Sequence, residues 1–565
     1  MTTPKYTQAP KKSGGAYNYV DERVGLSGVV KGFARKIFPD HWSFLLGEIA
    51  LYSFITLILT GIFLAMFFVP SMGTVTYPAD ALPVTEQGNE MSEAYASTLR
   101  ISFEVKGGLL MRQMHHWAAL LFMAAIVAHM FRVFFTGAFR KPRELNWLVG
   151  FTLLILGLLA GFTGYSLPDD VLSGNGLRIA DGVAKSIPVL GTWVSYALFG
   201  GEFPGTEIIP RLFTLHILVV PGLILALVGL HLLMVVVHKH TQYPGPGRKQ
   251  NNVVGFPVFP VYAAKAGGFF FIVFGLIALL GATLSINNVW SYGSYDPSPV
   301  SAGSQPDWYM LFLDGALRLM PGWEFVLFGF TFPMSILIPG VVVPGILFTT
   351  LAIYPFIEAY ATGDKREHHI LDRPRNVPVR TAIGAVLIVQ FIILVITGSN
   401  DIIATHFELS INGITWVLRI LFLIAPFITF WVTKRICLSL QRRDRELALH
   451  GHPTGKVIQT EDGAFHSVHR PLDNYELWTL VQHDAHRPIE AGAEVDPDGL
   501  PRKEYKSLKR RSAISRFFFE DRVEPVTKSE LAAAQASRHQ LGHGADRTGG
   551  SVAQLERTRK HQIRP

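Results

Sequence analysis

Four regularly spaced histidines lie within two long apolar segments of the chain. They are His115 and His129 in residues 113–136, and His216 and His231 in residues 212–237. The first two are 14 residues apart, close to four helical turns, so their side chains face nearly the same way about 21 Å apart. The second two are 15 residues apart, and Pro221 can absorb the extra residue by kinking the helix. Ionisable side chains are rare within a bilayer and are usually functional there.

The two histidine-bearing segments are separated by one further apolar segment, so both cross a membrane in the same direction. His115 therefore shares a depth with His216, and His129 shares a depth with His231. Two histidine pairs stacked across a membrane are what two haem irons need as axial ligands. The alternative for any single one is a histidine hydrogen-bonded to a neighbouring helix. Four histidines at matched depths favour the haem interpretation.

Glycine pairs with the same 14-residue spacing occur in two other apolar segments. They are Gly47 with Gly61, and Gly150 with Gly164. Glycine lets a flat macrocycle approach a helix backbone closely, as it lets a second helix approach, and helix packing is the alternative use of these residues. Arg112 and Arg132 lie three residues from His115 and His129, one helical turn away. We expect both arginines to pair with haem propionates, which are carboxylates.

The composition indicates the class of protein that holds these residues. Of 565 residues, 49% are hydrophobic and 17% are charged, whereas soluble domains carry about 25% charged residues. Eight apolar segments are long enough to cross a bilayer: 44–69, 113–136, 147–167, 212–237, 268–286, 324–357, 380–398 and 413–433. We therefore predict an all-α polytopic membrane protein with eight transmembrane helices and a four-helix di-haem bundle. Pro333, Pro339 and Pro344 interrupt the sixth segment, which we expect to be kinked or preceded by a surface helix.

Basic residues predict the orientation of the chain in the cell membrane. Lysines and arginines are concentrated in alternate connections, so the positive-inside rule places both termini in the cytoplasm. Residues 1–40 lack the apolar stretch of a signal peptide. We divide the chain into a cytoplasmic N-terminal segment (1–40), a di-haem four-helix domain (41–240), a second membrane domain of four helices (241–436) and a cytoplasmic C-terminal tail (437–565).

Cysteine usage limits the cofactors that the chain can carry. Cys437 is the single cysteine, which excludes a disulfide framework and an iron–sulfur cluster held within this chain. No CxxCH motif occurs, so no haem is attached covalently. Any iron–sulfur centre or cytochrome c with which this chain works must therefore be carried by partner chains.

Short motifs surround the histidines and continue into the second half of the chain. They are Leu59–Met66 (LTGIFLAM), Arg112-x-x-His115, His129-x-x-Arg132, Gly161–Pro168 (GFTGYSLP) and Pro306-Asp307-Trp308-Tyr309 followed by Arg318. Through these motifs, residues 40–435 resemble the cytochrome b subunit of cytochrome bc1 and b6f complexes, the quinol–cytochrome c reductases. The PDWY sequence and the long C-terminal tail are most similar to the actinobacterial menaquinol form of that subunit.

The resemblance implies a function and assigns site residues. It implies two non-covalent b haems, an outer low-potential one on His115/His216 and an inner high-potential one on His129/His231, and electron transport coupled to proton translocation. It places quinol oxidation at an outer site formed by Phe162, Tyr165, Pro306, Asp307 and Trp308, with Asp307 and Tyr309 as catalytic residues. The alternative for Asp307 is a loop aspartate that caps a short helix. The implied partners are a Rieske iron–sulfur subunit, a cytochrome c subunit, a terminal oxidase and a second copy in a dimer.

The inner quinone site departs from the family pattern. Aligning Phe259-Pro260 and Lys265 with that site puts Ala266 where mitochondrial relatives keep an aspartate. The resemblance therefore assigns no inner-site ligands in this chain, although it implies menaquinone reduction there.

Two other functions fit part of the pattern. A transporter or channel can use intramembrane histidines to relay protons or bind ions. A di-haem membrane anchor of a dehydrogenase would also need paired histidines, but the eight segments and the PDWY sequence speak against it. A visible spectrum distinguishes the transporter or channel from a haem protein, because a transporter without haem is colourless.

Overall fold

The computed structural model describes residues 15–298, 303–459, 463–481, 486–495, 504–519 and 521–536. Within these ranges, eight helices are long and apolar enough to cross a membrane. In chain order, spans 1 to 8 are Trp42–Ala65, Gly108–Thr136, Glu144–Tyr165, Ile208–His238, Val258–Thr283, Met334–Ala352, Pro378–Gly398 and Ile411–His450. The prediction of an all-α polytopic fold with eight spans is confirmed.

Shorter elements occupy the connections between the spans and the segments before span 1 and after span 8. The helices are Gly15–Val24, Leu26–Ala34, Val84–Glu86, Glu93–Phe103, Val171–Lys185, Gly191–Phe199, Val289–Tyr292, Leu311–Leu319, Tyr354–Thr362, Pro374–Asn376, Asn400–His406, Asn474–Leu480 and Tyr505–Phe519. The strands form four antiparallel pairs: Ile37–Phe38 with Phe256–Pro257, Thr74–Thr76 with Glu90–Ser92, Glu324–Leu327 with Phe330–Pro333, and His452–Gln459 with Phe465–Arg470.

The sixth apolar segment differs from the surface helix that the sequence suggested as one possibility. Residues 324–333 form a β-hairpin, and the helix of span 6 begins only at Met334. The helix contains a π-helical turn, Ile338–Val342, that includes Pro339. Proline has no N–H and clashes with the preceding turn, so the expected distortion of this helix is present.

Spans 1 to 4 pack into a bundle whose core lies midway along the helices. Phe54 lies seven residues from both Gly47 and Gly61, and Phe122 lies seven residues from both His115 and His129. The rings of Phe54 and Phe122 stack with their centroids 5.8 Å apart. The remaining buried members of this cluster are Met123, Ile126, Leu153, Val220, Ile224 and Tyr309. An apolar layer therefore separates the two histidine levels.

The 15-residue spacing in span 4 has a local structural cause. Leu215–Val219 form a π-helical turn, and Pro221 is the second residue of the α-helix that follows it, Val220–His238. A π-turn inserts one extra residue into an α-helix. Proline donates no hydrogen bond to the preceding turn, which favours this distortion. The inserted residue brings His216 and His231 to the same side of the helix, as the 14-residue spacing does in span 2.

Candidate functional site

The outer histidine pair faces across the bundle between spans 2 and 4. The ring centroids of His115 and His216 are 6.1 Å apart, with their planes inclined at 69°. The Nδ1 atom of His115 lies 2.9 Å from Thr60 Oγ1. The Nδ1 atom of His216 lies 3.2 Å from Thr163 Oγ1 and 3.1 Å from the Ala160 carbonyl oxygen. These contacts occupy one nitrogen of each ring and leave Nε2 as the nitrogen that can bind a metal.

The inner histidine pair repeats this arrangement at the other level of the bundle. The ring centroids of His129 and His231 are 6.4 Å apart, with their planes inclined at 74°. Among the described residues, the buried Nδ1 atom of His129 has no hydrogen-bond partner. A separation of this size accommodates two metal–imidazole bonds of about 2 Å each. Each pair can therefore hold one iron atom between its rings.

All four predicted glycines lie directly against the histidine rings. A Cβ atom built on Gly47 would lie 3.2 Å from the His129 ring. A Cβ atom on Gly61 would lie 3.2 Å from His115, and one on Gly150 would lie 3.4 Å from His231. At Gly164 the added atom would overlap the His216 ring. Each ring thus packs directly on a helix backbone that carries no side chain at that position.

The two predicted propionate partners carry buried donors that remain free. Within the described ranges, Nε and Nη2 of both Arg112 and Arg132 lack hydrogen-bond partners. The third nitrogen of Arg112, Nη1, donates to the Asn287 carbonyl at 3.0 Å. The Arg132 guanidinium lies 4.3 Å above the centre of the Phe44 ring. Buried donors without partners are costly, so these arginines fit an anionic group such as a haem propionate.

The PDWY sequence meets span 2 through a carboxylate. Both oxygens of Asp307 lie 3.0 Å from His116 Nε2, and the Tyr309 hydroxyl donates to Asp307 Oδ2 at 3.0 Å. The Asp307 side chain does not cap the helix Leu311–Leu319. Tyr309 is only 2% exposed, and burial, followed by the charge of Asp307, raises the pKa of its hydroxyl. Asp307 therefore lies between the imidazole of His116 and the neutral phenol of Tyr309.

The other predicted quinol-site residues surround this group. A Cβ atom on Gly161, in span 3, would meet the Tyr309 ring, so the loop packs tightly against span 3. Phe162 and Tyr165 form an edge-to-face pair at 5.9 Å, and Trp308 packs edge-on against Tyr309 at the same centroid distance. Pro306 is half-buried at the start of the loop. The structure therefore brings these residues to the same end of the bundle as the outer histidine pair.

Arg318, which follows the loop, contacts two carboxylates and one amide side chain. It forms ion pairs of 2.9 Å with Asp314 and with Asp401, and it donates to Asn400 Oδ1 at 2.8 Å. These contacts join the helix Leu311–Leu319, which follows the PDWY sequence, to the helix Asn400–His406.

The sequence interpretation missed three residues that the structure places at the site. Thr60 and Thr163 contact the outer histidines, and His116 contacts Asp307. A signal for the threonines was present, because both precede a glycine of the 14-residue pairs: Thr60-Gly61 and Thr163-Gly164. Nothing in the sequence pattern linked His116 to a loop almost 200 residues away.

Comparisons with known proteins agree with this geometry. Residues 120–294 match the family model "Cytochrome b(N-terminal)/b6/petB". A "Cytochrome bc1 complex cytochrome b subunit" from Streptomyces coelicolor is 53% identical over 502 residues, which cover 89% of this chain and 92% of the relative. A protein of the same name from Mycobacterium tuberculosis strain H37Rv is 52% identical over 454 residues, covering 80% of this chain and 82% of the relative.

A solved structure agrees at the level of the fold. A chain described as "Hyperthermophilic respiratory Complex III" superposes with a TM-score of 0.55 at 21% identity, covering 74% of this chain and 98% of the other. The identity to full-length relatives decides the family. The chain belongs to the cytochrome b subunits of cytochrome bc1 complexes.

Proposed function

We propose that this chain is the haem b subunit of a respiratory quinol–cytochrome c oxidoreductase. The observation that carries the proposal is the two facing histidine pairs, with ring centroids 6.1 and 6.4 Å apart, at two levels of one bundle. Membership of the cytochrome b family supports it. The haem-bearing part is residues 41–240, the quinol-site loop belongs to residues 241–436, and residues 1–40 and 437–565 are the cytoplasmic ends.

Two non-covalent b haems fit the residues present. The four histidines would ligate the irons, the four glycines would lie against the macrocycles, and Arg112 and Arg132 would bind propionates. When bound, the haems supply single-electron carriage between the outer and inner levels. The protein's own contribution is to hold the two outer histidine rings in one orientation, through Thr60 and Thr163.

At the outer site, Asp307 accepts a proton from the quinol hydroxyl. Oxidation of a quinol to a quinone releases two protons and two electrons, so the site needs a base within hydrogen-bond reach. His116 and Tyr309 fix both oxygens of the carboxylate, and His116 can take the proton on towards water. One electron leaves to a Rieske iron–sulfur partner and the other crosses to the inner level.

The orientation of the subunit in the membrane and its partners are part of the same proposal. Both termini face the cytoplasm, because the basic connections lie at the end of the bundle that carries the inner pair. A cytochrome c subunit takes the electron from the Rieske partner and passes it to a terminal oxidase. The quinol is menaquinol, and the assembly is a dimer in the cell membrane that translocates protons.

The test is the haem content of the purified complex. A pyridine haemochrome assay and a reduced-minus-oxidised spectrum should give two b haems per chain, both removed by acid acetone. Addition of a menaquinol analogue should reduce them, and cytochrome c should then be reduced at steady state. One haem per chain would contradict the assignment of four ligands, and a colourless protein would instead favour the transporter.

A further inference from the structure

Span 1 carries a carboxylic acid one residue after a glycine that packs against the inner histidine pair. Glu48 lies in the first turn of the helix Leu45–Ala65 and is half-buried. The residue before it, Gly47, packs against the His129 ring. An acidic residue within a membrane span is costly unless it is neutral or paired, and such residues usually mark a proton or substrate path.

The hydrogen bonds of Glu48 connect span 1 with the start of span 5. Its Oε1 atom accepts a hydrogen bond from the Tyr262 hydroxyl, and its Oε2 atom lies 3.1 Å from the Tyr52 hydroxyl. The Tyr52 hydroxyl also donates to the Ala266 carbonyl oxygen at 3.0 Å. Tyr52 therefore connects the Glu48 carboxyl group to the backbone of Ala266, the position where the mitochondrial pattern has an aspartate.

Both tyrosine hydroxyls donate to the Glu48 carboxyl group, and Tyr52 shares its single proton between Glu48 and the Ala266 carbonyl oxygen. Each oxygen of the carboxyl group thus has a partner, so the group is held in one orientation.

A charged pair lies near this group at the inner end of the bundle. Lys265 and Asp40 form an exposed ion pair of 2.5 Å there, and Lys265 also lies 4.7 Å above the centre of the Phe256 ring. Phe259, six residues before Lys265, is 68% exposed. The exposed Phe259 ring and the charged pair therefore lie near the start of span 5, which Tyr262 connects to Glu48.

We propose that Glu48 is the proton donor of the inner quinone site and replaces the aspartate that is absent at Ala266. This inference rests on the proposed function. The quinone takes up two electrons from the inner level and two protons to become quinol. One proton comes from the Glu48 carboxyl, whose O–H bond breaks as the quinone oxygen gains its O–H bond. The second comes from cytoplasmic water, which also reprotonates Glu48 near the ion pair of Lys265 and Asp40.

The first experiment measures electron transfer at the inner site in the purified complex. Pre-reduced complex is mixed with menadione, a menaquinone analogue, and reoxidation of the inner haem is followed by stopped-flow absorbance. Glu48→Gln should slow this reaction at least about ten-fold, as expected for loss of an acid–base catalyst, with both haems retained. Glu48→Asp should restore part of the rate. The matched control, Glu144→Gln, removes a carboxylate from the first turn of span 3 at the same end and should keep the wild-type rate.

A second measurement does not depend on Glu48→Gln and decides the matter if that variant fails to assemble. The infrared difference spectrum of the wild-type complex, recorded on quinone reduction, should contain a carboxylic acid C=O band that shifts in deuterium oxide and moves in Glu48→Asp. A wild-type rate in Glu48→Gln, or the absence of this band, would overturn the proposal for Glu48 while leaving the proposed function intact. A wild-type complex without haem would instead contradict the proposed function itself.

Discussion

His116 Nε2 lies 3.0 Å from both carboxylate oxygens of Asp307, so adjacent histidines in span 2 serve two different groups. The next residue along a helix is rotated by about 100°, which turns His116 away from the bundle while His115 faces His216. The side chains of His116 and Asp307 are only 15% and 9% exposed. A hydrogen-bonded contact at this depth connects span 2 to the loop that carries the PDWY sequence.

The first prediction separates the two histidines of this doublet. We expect His115→Ala to lose the outer haem selectively, because His115 is the ring that faces His216 at that level. His116→Ala should keep both haems but slow quinol oxidation, because Asp307 loses its partner in span 2. Haem content by pyridine haemochrome and quinol:cytochrome c reductase activity are the two measurements. Equal haem loss in both variants would contradict the assignment of the ligand.

The second prediction concerns Asp307 itself. Asp307→Asn keeps the size of the side chain but cannot accept the quinol proton, so we expect reductase activity to fall about ten-fold or more with normal haem content. Asp296→Asn is the control, since that carboxylate is exposed in the same connection and accepts hydrogen bonds from Ser298. If Asp307→Asn retained wild-type rates, Asp307 would have no catalytic role; haem loss would make its role structural.

The third prediction tests the threonines behind the outer pair. Thr60→Val and Thr163→Val remove hydroxyls from the Nδ1 atoms of His115 and His216 while keeping nearly the same volume. Loss of such an orienting hydrogen bond typically weakens a metal site about 10- to 100-fold. We expect faster loss of the outer haem to an apoprotein scavenger and an unchanged inner haem. Thr152→Val, whose hydroxyl bonds only within its own helix, should behave as wild type.

The fourth prediction concerns a buried ion pair in the second membrane domain. Arg380 donates from Nε to Glu358 at 2.8 Å and forms an ion pair with Asp372 at 2.9 Å. Breaking a buried pair costs about 3–5 kcal/mol. Because Arg380 keeps its contact with Asp372, we expect Glu358→Gln to cost about the lower of these figures. The free energy of unfolding of the purified complex should fall accordingly, whereas the exposed Glu446→Gln should change it little. Equal stability of both variants would show that the pair is not needed.

The spacing of residues within single helices was enough to predict much of this site. Helical periodicity determines which residues share a face, so the histidines of span 2, their glycine counterparts in spans 1 and 3, and the matched depths followed from the sequence. The eight spans followed from hydropathy, because a bilayer imposes length and apolarity on each helix separately. The hairpin before span 6 was not predicted, since its residues are as apolar as those of the span that follows.

The sequence by itself determined the class of protein, the number of spans and the four histidines that we propose as haem ligands, because these depend on composition and on periodicity within one element. The tertiary structure alone decided which groups meet across the bundle. His116 reaches Asp307, Thr163 reaches His216, and Glu48 reaches Tyr262 in span 5. Each of these contacts joins residues far apart in the chain, and their distance depends on how whole helices pack rather than on any spacing along one of them.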